Sequence, residues 1–257
     1  MNIYIVHYKK LEERKAYLDS KLSGFNPFFI DEYDRDTLDL KNVSIKYNKN
    51  LWKERTGNLY SYVPVARDLK ASEICNSLSH LEALRRISED DTTYQMVLED
   101  DAILPDDFSG KIEGMLLQTP PDFDFVFFGS SYSIPILDDA NLSKSIRIND
   151  HIYKKEPGKT RTVDGYIVSK QAAKKLIGEI TEICLPFDFE LNYFLKKLNM
   201  TVYWYDPGII CQGSQTGLYN SSIRSMPVAV SAYRQMMKRP WKALRAILSG
   251  RFHSNRQ

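Results

Sequence analysis

The chain of 257 residues has few cysteines, no long apolar run and no acidic residue after Asp206. Its three cysteines, Cys75, Cys184 and Cys211, are odd in number, widely separated and without metal-site spacing. We therefore expect free thiols in a reducing compartment, which excludes a disulfide-rich secreted domain. No window approaches the roughly 18 uninterrupted apolar residues of a spanning helix. Residues 1–8 lack the basic and apolar regions of a signal peptide, so we expect a cytoplasmic protein.

Basic and acidic residues are distributed unevenly along the chain. It has 35 Lys or Arg and 33 Asp or Glu, a net charge of +2, yet eight of the basic residues and none of the acidic ones follow Asp206. The preceding residues therefore carry 27 basic and 33 acidic groups. This asymmetry predicts a mildly acidic body and an anionic partner for the carboxyl-terminal tail.

Residues 230–248 are amphipathic in a helical frame. Tyr233, Met237 and Trp241 share one side, basic residues occupy the others, and Pro240 is predicted to divide the segment into two helices. Such a helix can lie on an anionic membrane surface, which would make the protein peripheral on the inner face of the membrane. A helix docked on the core with a solvated basic face is the alternative. No nucleic-acid-binding motif accompanies the basic residues, and we expect no nucleic-acid partner.

Strand and helix patterns alternate along most of the chain. The predicted strands are 3–6, 27–30, 94–98, 122–128, 162–168 and 201–205, and the predicted helices are 11–22, 72–87, 106–117, 170–180 and 187–198. Residues 31–70 and 130–150 are predicted to be irregular. The alternation indicates an α/β fold with a mainly parallel sheet flanked by helices. We expect one domain over residues 1–225 and a basic helical appendage at 226–257.

The most informative stretch is 94–101, where an apolar run ends in Glu99, Asp100 and Asp101. Three adjacent carboxylates repel one another unless a cation lies among them. Mg²⁺ and Mn²⁺ prefer oxygen ligands and often bind through one or two carboxylates plus substrate phosphates. Open α/β folds bind ligands at the carboxyl ends of their strands. The stretch therefore predicts a metal–phosphate site, with a solvated acidic turn before the next helix as the alternative.

Two helical positions carry further candidate chemistry. His80, which follows Ser79 in the middle of a predicted helix, fits either a packed core histidine or a residue near a substrate. Asp188 lies in the first turn of another helix, where a carboxylate interacts favourably with the helix dipole. The same carboxylate is placed to act as a general base, with Glu190 as the alternate.

Two loop positions are candidates for phosphate binding. Arg161 ends a basic loop that also contains Lys154, Lys155 and Lys159, and the alternative for this loop is simple solvation. Gln212 begins a polar, glycine-containing stretch at 212–217 that is suited to fold over a diphosphate. This stretch matches no nucleotide-binding fingerprint.

Three segments occur in an order and at a spacing that are more specific than any of them alone. They are the helix segment 73–83 with its Ser79-His80 pair, the acidic segment 98–102, and the segment 164–176 followed by Pro186-Phe187-Asp188. An opening strand followed by Leu11-Glu12-Glu13-Arg14 accompanies them. Over residues 1–225 the chain resembles glycosyltransferase family 25, the bacterial lipooligosaccharide galactosyltransferases and their collagen-modifying relatives.

The resemblance implies a GT-A-like, Rossmann-like fold, a UDP-sugar donor, a saccharide acceptor and Mn²⁺ or Mg²⁺. It also implies inversion at the anomeric carbon, with galactose as the first expectation for the sugar and glucose as the next. Asp101 and Glu99 are then the expected metal ligands, and Asp188 the expected base. Taken with the patterns above, the expected donor-binding residues are Arg14, Ser79, His80, Glu99, Asp100, Arg161 and Gln212.

The chain departs from the family pattern in two places. Cys75-Asn76 stands where a Gly-Cys pair is usual, and His7-Tyr8 stands where an Asn-Leu pair is usual. Many GT-A enzymes complete the metal shell with a late His, but His253 is the only His after residue 151, which leaves Gln212, Ser214 or water for that place. Two rival classes remain open: a metal-dependent nucleotidyltransferase and a non-catalytic glycan- or membrane-binding protein.

Overall fold

A computed structural model describes residues 1–56, 67–130 and 144–219. Its strands are β1 Asn2–Val6, β2 Asn26–Ile30, β3 Lys46–Tyr47, β4 Tyr94–Glu99, β5 Ala102–Ile103, β6 Phe125–Phe127, β7 Gly129–Ser130, β8 Ser145–Arg147, β9 Ile152–Lys155, β10 Gly165–Ser169, β11 Glu182–Ile183, β12 Val202–Tyr205 and β13 Ile210–Gln212. Its helices are α1 Glu12–Lys21, α2 Trp52–Thr56, α3 Ala71–Glu89, α4 Phe108–Gln118, α5 Lys170–Glu179, α6 Phe187–Lys197 and α7 Gly213–Thr216.

The predicted tail at 226–257, with its amphipathic segment 230–248, lies outside the described residues. Of the helices that are described, none has the length and apolar character needed to cross a membrane.

Eight strands form the central sheet, in the order β2-β1-β4-β10-β6-β12-β9-β8. Three of its pairings are parallel, β1 with β2, β1 with β4 and β6 with β12. The prediction of a mainly parallel sheet is wrong, because β10 runs antiparallel to both of its neighbours and β9 runs antiparallel to β12 and β8. A short apolar run shows that a strand is buried but carries no signal of its direction.

Each face of the sheet is covered by helices, as predicted. Side chains alternate between the faces along each strand, so that in β4 Val97 points into one core and Met96 and Leu98 into the other. The first core includes residues of α3, α5 and α6, and the second includes residues of α1 and α4. The protein is therefore a three-layer α/β structure whose central strands are buried on both faces.

The region predicted to be irregular at 31–70 contains ordered structure within its described part. Strand β3 pairs in parallel with β11, with Lys46 opposite Glu182 and Tyr47 opposite Ile183. A 3₁₀ turn at Lys49–Leu51 then leads directly into α2. These elements were not predictable from local pattern, because a two-residue strand has no measurable periodicity.

A second small sheet joins the acidic segment to the carboxyl-terminal part of the described chain. Its order is β5-β13-β7, and its register places Gln212 opposite Ala102, one residue after Asp101. This pairing brings residues 212–214 to the end of β4.

Candidate functional site

The candidate site is a cleft at the carboxyl ends of β1 and β4. From β1 the chain proceeds to β2 on one side and only later to β4 on the other, and the crevice at such a reversal of strand order is where open α/β sheets bind ligands. The cleft is open on one side, and its empty volume, which includes open solvent, is about 610 Å³. It is lined by Val6, His7, Tyr8, Arg14, Tyr33, Arg35, Ser72, Cys75, Asn76, Ser79, Glu99, Asp100, Asp101, Gln212 and Ser214.

Asp100 is the member of the acidic segment that is bound to cationic and backbone groups of the fold. Its Oδ1 accepts a hydrogen bond of 2.6 Å from Arg14 Nη1, and its Oδ2 lies 3.1 Å from His7 Nδ1 and 3.0 Å from the Tyr8 backbone nitrogen. Burial opposes ionisation of this carboxyl, yet His7 and Arg14 bring its pKa below the ordinary value. Asp100 therefore fixes the β1–α1 turn and α1 to the end of β4.

Glu99 is held by neutral amides and a histidine. Its Oε1 accepts a hydrogen bond of 3.1 Å from Asn76 Nδ2 and lies 3.5 Å from His80 Nε2. Its Oε2 accepts a bond of 2.9 Å from Gln212 Nε2. Two of these partners, Asn76 and Gln212, also line the cleft, so Glu99 lies at its floor.

Asp101, the last of the three acids, is held by backbone groups of residues 213 and 214. Its Oδ2 accepts a hydrogen bond of 3.1 Å from the Ser214 nitrogen, and its carbonyl accepts one of 2.7 Å from the Gly213 nitrogen. Burial and the nearby charge of Glu99 raise the pKa of Asp101 to about 7. Glu99 and Asp101 thus place two carboxyl groups near each other, and the charge of Arg14, which bonds Asp100, only partly offsets the rise in the pKa of Asp101.

Asp164 is a third carboxylate near this pair, and its side chain is buried. The residue is 1% exposed, its Oδ1 accepts a hydrogen bond from Thr162 Oγ1, and its Oδ2 has no hydrogen-bond partner among the described residues. Burial raises the pKa of Asp164 well above its ordinary value, and the charges of Glu99 and Asp101 add to the effect. A Cβ atom at Gly129 would overlap this carboxylate, which explains the need for glycine there.

His80 connects the acidic segment to the start of α6. Its Nδ1 lies 3.1 Å from the Tyr166 hydroxyl, and its ring stacks on Phe187 with centroids 4.1 Å apart and an interplanar angle of 3°. Asp188, the next residue, is partly exposed in the first turn of α6. Burial and the charge of Glu99 raise the pKa of Asp188 to about 6. The structure thus brings Asp188 into the electrostatic field of Glu99, although neither Asp188 nor His80 is among the described residues that line the cleft.

Glu190 and Arg161 are placed differently from Asp188. Glu190 is 1% exposed, and both its carboxylate oxygens accept hydrogen bonds from groups of the fold. Arg161 donates to the Tyr205 carbonyl and, at 3.0 Å, to Asp206 Oδ1. Like Asp188, neither residue is among the described residues that line the cleft, but both are bonded to the fold through their charged groups.

The predicted donor-binding residues Arg14, Ser79, Glu99, Asp100 and Gln212 all line the cleft, as does Asp101. Sequence reasoning assigned no role to Asn76, His7 or Tyr8, which contact Glu99 and Asp100. A signal was present, since these residues stand at the two positions where the chain departs from the family pattern. Arg35 was missed without any signal: its guanidinium lies 4.2 Å from the centre of the Tyr8 ring, at one wall of the cleft.

The donor atoms at the cleft suit a hard divalent cation that also binds a phosphate. Among the described residues, no three His, Cys, Asp or Glu side chains converge closely enough to hold a metal by themselves. Glu99 and Asp101 offer two carboxylates, and Mg²⁺ commonly takes one or two carboxylates together with substrate phosphates. Burial, and after it the charge of Glu99, raise the pKa of Asp101, and a bound cation would favour the ionised form against both effects.

Comparison with known proteins identifies the family. Residues 1–191 match the sequence model described as glycosyltransferase family 25 (LPS biosynthesis protein). The chain belongs to glycosyltransferase family 25. The match covers the cleft elements β1, α3 and β4 and ends within α6, so that Asp188 lies inside it and Gln212 outside.

Family 25 membership makes the chain a glycosyltransferase of the lipopolysaccharide-biosynthesis type. A search of curated protein sequences returned no match. Among solved structures, the inositol-1-phosphate CTP transferase from T. maritima is similar at 13% identity, over 86% of this chain and 72% of that chain, with a TM-score of 0.36. A score of this size carries no argument about function.

Proposed function

We propose that this glycosyltransferase is a metal-dependent, inverting enzyme of GT-A-like fold. It would transfer a hexose, most simply galactose from UDP-galactose, to a saccharide hydroxyl in lipooligosaccharide or surface-glycan biosynthesis. The observation that carries the proposal is the pair Glu99 and Asp101, which line the cleft at the carboxyl ends of β1 and β4 and accept hydrogen bonds from side-chain amides and a backbone nitrogen. Glucose is the next candidate for the donor sugar.

The two carboxylates are the residues that would hold Mn²⁺ or Mg²⁺ against the donor diphosphate. A bound cation of this kind neutralises charge that develops on the leaving diphosphate. Gln212 and Asn76 keep Glu99 in place through its two oxygens, and the Ser214 nitrogen keeps Asp101 in place. Arg14 and His7 secure Asp100, which anchors the turn between the two ligands.

Asp188 is the proposed general base. A carboxylate with a pKa of about 6 is ionised at neutral pH yet basic enough to accept a proton from a hydroxyl that is forming a bond. The acceptor oxygen would attack the anomeric carbon from the side opposite the diphosphate, in a single displacement. Positioning and charge stabilisation supply most of the rate in such a reaction.

The first experiment is thermal unfolding with UDP and a panel of UDP-sugars, with and without Mn²⁺, for the wild type and Asp101→Asn. A ligand that binds only the native state raises the unfolding temperature by mass action. We expect UDP to stabilise the wild type in a Mn²⁺-dependent manner and the variant far less, with the most stabilising sugar nominating the donor. No response to any UDP compound would overturn the proposal.

Product analysis separates the proposal from a nucleotidyltransferase, the rival that uses the same carboxylates. A glycosyltransferase releases a nucleoside diphosphate from a sugar nucleotide. A nucleotidyltransferase consumes a nucleoside triphosphate and releases pyrophosphate. A non-catalytic binding protein would release neither product.

The cellular location follows from the acceptor class. Lipooligosaccharide precursors are presented at a membrane, and the basic tail at 226–257 suits an anionic lipid surface. The proposal therefore includes a cytoplasmic location, with the enzyme bound peripherally to the inner face of the membrane. Recovery of the full chain on anionic vesicles, and its loss on deletion of residues 228–257, is the test of this part.

A further inference from the structure

The first turn of α6 is fixed to the rest of the protein on two sides. On one side, Phe187 stacks on His80, whose Nε2 lies 3.5 Å from Glu99. On the other side, the fixing group is Glu190, three residues further along the same helix. Asp188 lies between these two attachments, and its carboxyl group interacts with backbone groups of its own helix turn.

Glu190 is bound through both of its oxygens. Oε1 accepts hydrogen bonds from the backbone nitrogens of Cys184 and, at 2.8 Å, Leu185, in the turn that precedes the helix. Oε2 accepts a bond of 2.7 Å from Arg55 Nη1, and this nitrogen also lies 2.7 Å from the Glu182 carbonyl. The Arg55 side chain is 7% exposed and the Glu190 side chain 1%. The pair thus joins α2 to the turn that starts α6.

Arg55 is itself held in place, because the segment from β3 to α2 that carries it is attached to β11. The Asn48 backbone nitrogen donates to the Ile183 carbonyl at 2.9 Å, and Asn48 Nδ2 donates to Glu182 Oε1 at 3.1 Å. The Arg55 guanidinium also lies 5.1 Å from the centre of the Phe194 ring. The segment from β3 to α2 therefore packs against the start of α6 and restrains it.

We propose that the buried Arg55–Glu190 pair is a positioning element that sets the location of Asp188 relative to Glu99. The inference rests on the proposed function, in which Asp188 accepts the acceptor proton. A displacement of about 1 Å at a reacting group can lower a rate on the order of 100-fold. A charge-assisted bond between two buried groups fixes distance and direction together. Glu190 then serves catalysis through Asp188 and contacts no substrate.

The test compares Arg55→Met with Arg55→Lys in the full-length protein. Met fills the space of the Arg stem but removes the ion pair, whereas Lys can keep a charged bond to Glu190. We expect Arg55→Met to lower kcat on the order of 10- to 100-fold with an unchanged KM for the UDP-sugar, and Arg55→Lys to restore most of kcat. Glu54→Gln is the matched control, since Glu54 is on the same helix and bonds the exposed Tyr193 hydroxyl of α6 at 2.7 Å.

A folded Arg55→Met protein with a lowered unfolding temperature but wild-type kcat would overturn the proposal and leave the pair a purely structural one. Should Arg55→Met fail to fold, Glu190→Gln replaces it: its amide oxygen can still accept from the Cys184 and Leu185 nitrogens, while the ion pair is lost. A wild type without transferase activity, or an Asp188→Asn variant with full activity, contradicts the proposed function instead. Normal kcat in the Arg55 and Glu190 variants, alongside loss in Asp188→Asn, contradicts the positioning role alone.

Discussion

The end of β4 and the start of α6 both carry carboxylates in close succession, and the fold uses the members of each group differently. At the end of β4, Asp100 is bonded to Arg14, while Asp101 is held by backbone nitrogens. At the start of α6, Glu190 is bonded to Arg55, while Asp188 is partly exposed with its pKa raised to about 6.

The difference between these regions separates structural acids from chemically available ones. A buried carboxylate that pairs with a guanidinium stays ionised and has its oxygens occupied. A carboxylate that lacks such a partner keeps a raised pKa, as Asp101 and Asp188 do, and can respond to a cation or a proton. Each region therefore combines one acid that is bonded to a guanidinium with a nearby acid whose pKa is raised.

The largest expected effect is that of Asp188→Asn on turnover. Removal of a general base costs on the order of 10²- to 10⁴-fold in rate, and we expect this loss in kcat with little change in Mn²⁺-dependent UDP binding. Steady-state kinetics and nucleotide-dependent thermal shifts measure the two quantities. Asp150→Asn, at a side chain that is 85% exposed, is the control for loss of one negative charge. Equal losses in binding and turnover would make Asp188 a structural residue.

Arg14→Met tests the structural role of Asp100, the acid at the end of β4 that is bonded to a guanidinium. The substitution leaves Asp100 buried without its guanidinium, and the loss of one partner of a buried pair costs about 3–5 kcal/mol of unfolding free energy. Arg85→Met is the matched control, because Arg85 bonds Glu82 and Glu89 on the surface of α3 and is 45% exposed. Exposed pairs contribute only about 0–1 kcal/mol. Denaturant unfolding that shows similar losses for both variants would contradict the structural role of Asp100.

Asp101→Asn should lower activity and leave stability nearly unchanged, whereas Arg14→Met should lower stability. We expect the variant to fold, because its carbonyl still accepts from Gly213 and its side-chain oxygen can still accept from Ser214. Transfer should fall on the order of 10²- to 10³-fold, the cost of losing an electrostatic contact to the developing charge. The measurement is kcat over a Mn²⁺ titration, with circular dichroism to confirm the fold. Full activity at any Mn²⁺ concentration would remove Asp101 from the metal site.

Much of the fold was predictable because long periodic segments signal their own structure. The strand at 94–98 and the helices at 72–87 and 187–198 are confirmed within a few residues. The orientation of β10 was not predictable, since direction is set by pairing partners rather than by the strand's own sequence. The start of α3 was predicted one residue late: the helix begins at Ala71, and Glu73 accepts a hydrogen bond of 2.9 Å from the Lys70 nitrogen.

The candidate site was predictable only where its residues are adjacent in sequence. Glu99, Asp100 and Asp101 marked a strand end in the sequence, but their separate roles depend on Arg14, Asn76 and Gln212, which long-range packing brings to them. Asp188 was preferred to Glu190 as the base from the family resemblance alone, because Arg55, the partner of Glu190, lies 135 residues away in the sequence. Such pairs leave no periodic trace, so local pattern could not assign them.

The smallest predicted effect is a pH dependence that links stability and activity at Asp188. Its pKa is raised from an ordinary 3.8 to about 6 in the folded protein. The neutral form therefore stabilises the fold below pH 4, and this contribution is lost as pH rises through 6, by at most about 3 kcal/mol. Activity changes in the opposite direction, since the base works only when ionised, and kcat should rise to a plateau above pH 6.

The Asn side chain of Asp188→Asn cannot titrate. The unfolding free energy of this variant should therefore rise relative to that of the wild type between pH 4.5 and 7.5. Denaturant unfolding at these two pH values measures the gain, and the pH profile of wild-type kcat supplies the second reading of the same pKa. If Asp188 is the base, both readings fall near 6 and both vanish in the variant. A constant stability difference across this range would mean that the carboxylate titrates as an ordinary surface acid. Asp188 would then lack the raised pKa that distinguishes it from an acid such as Asp100.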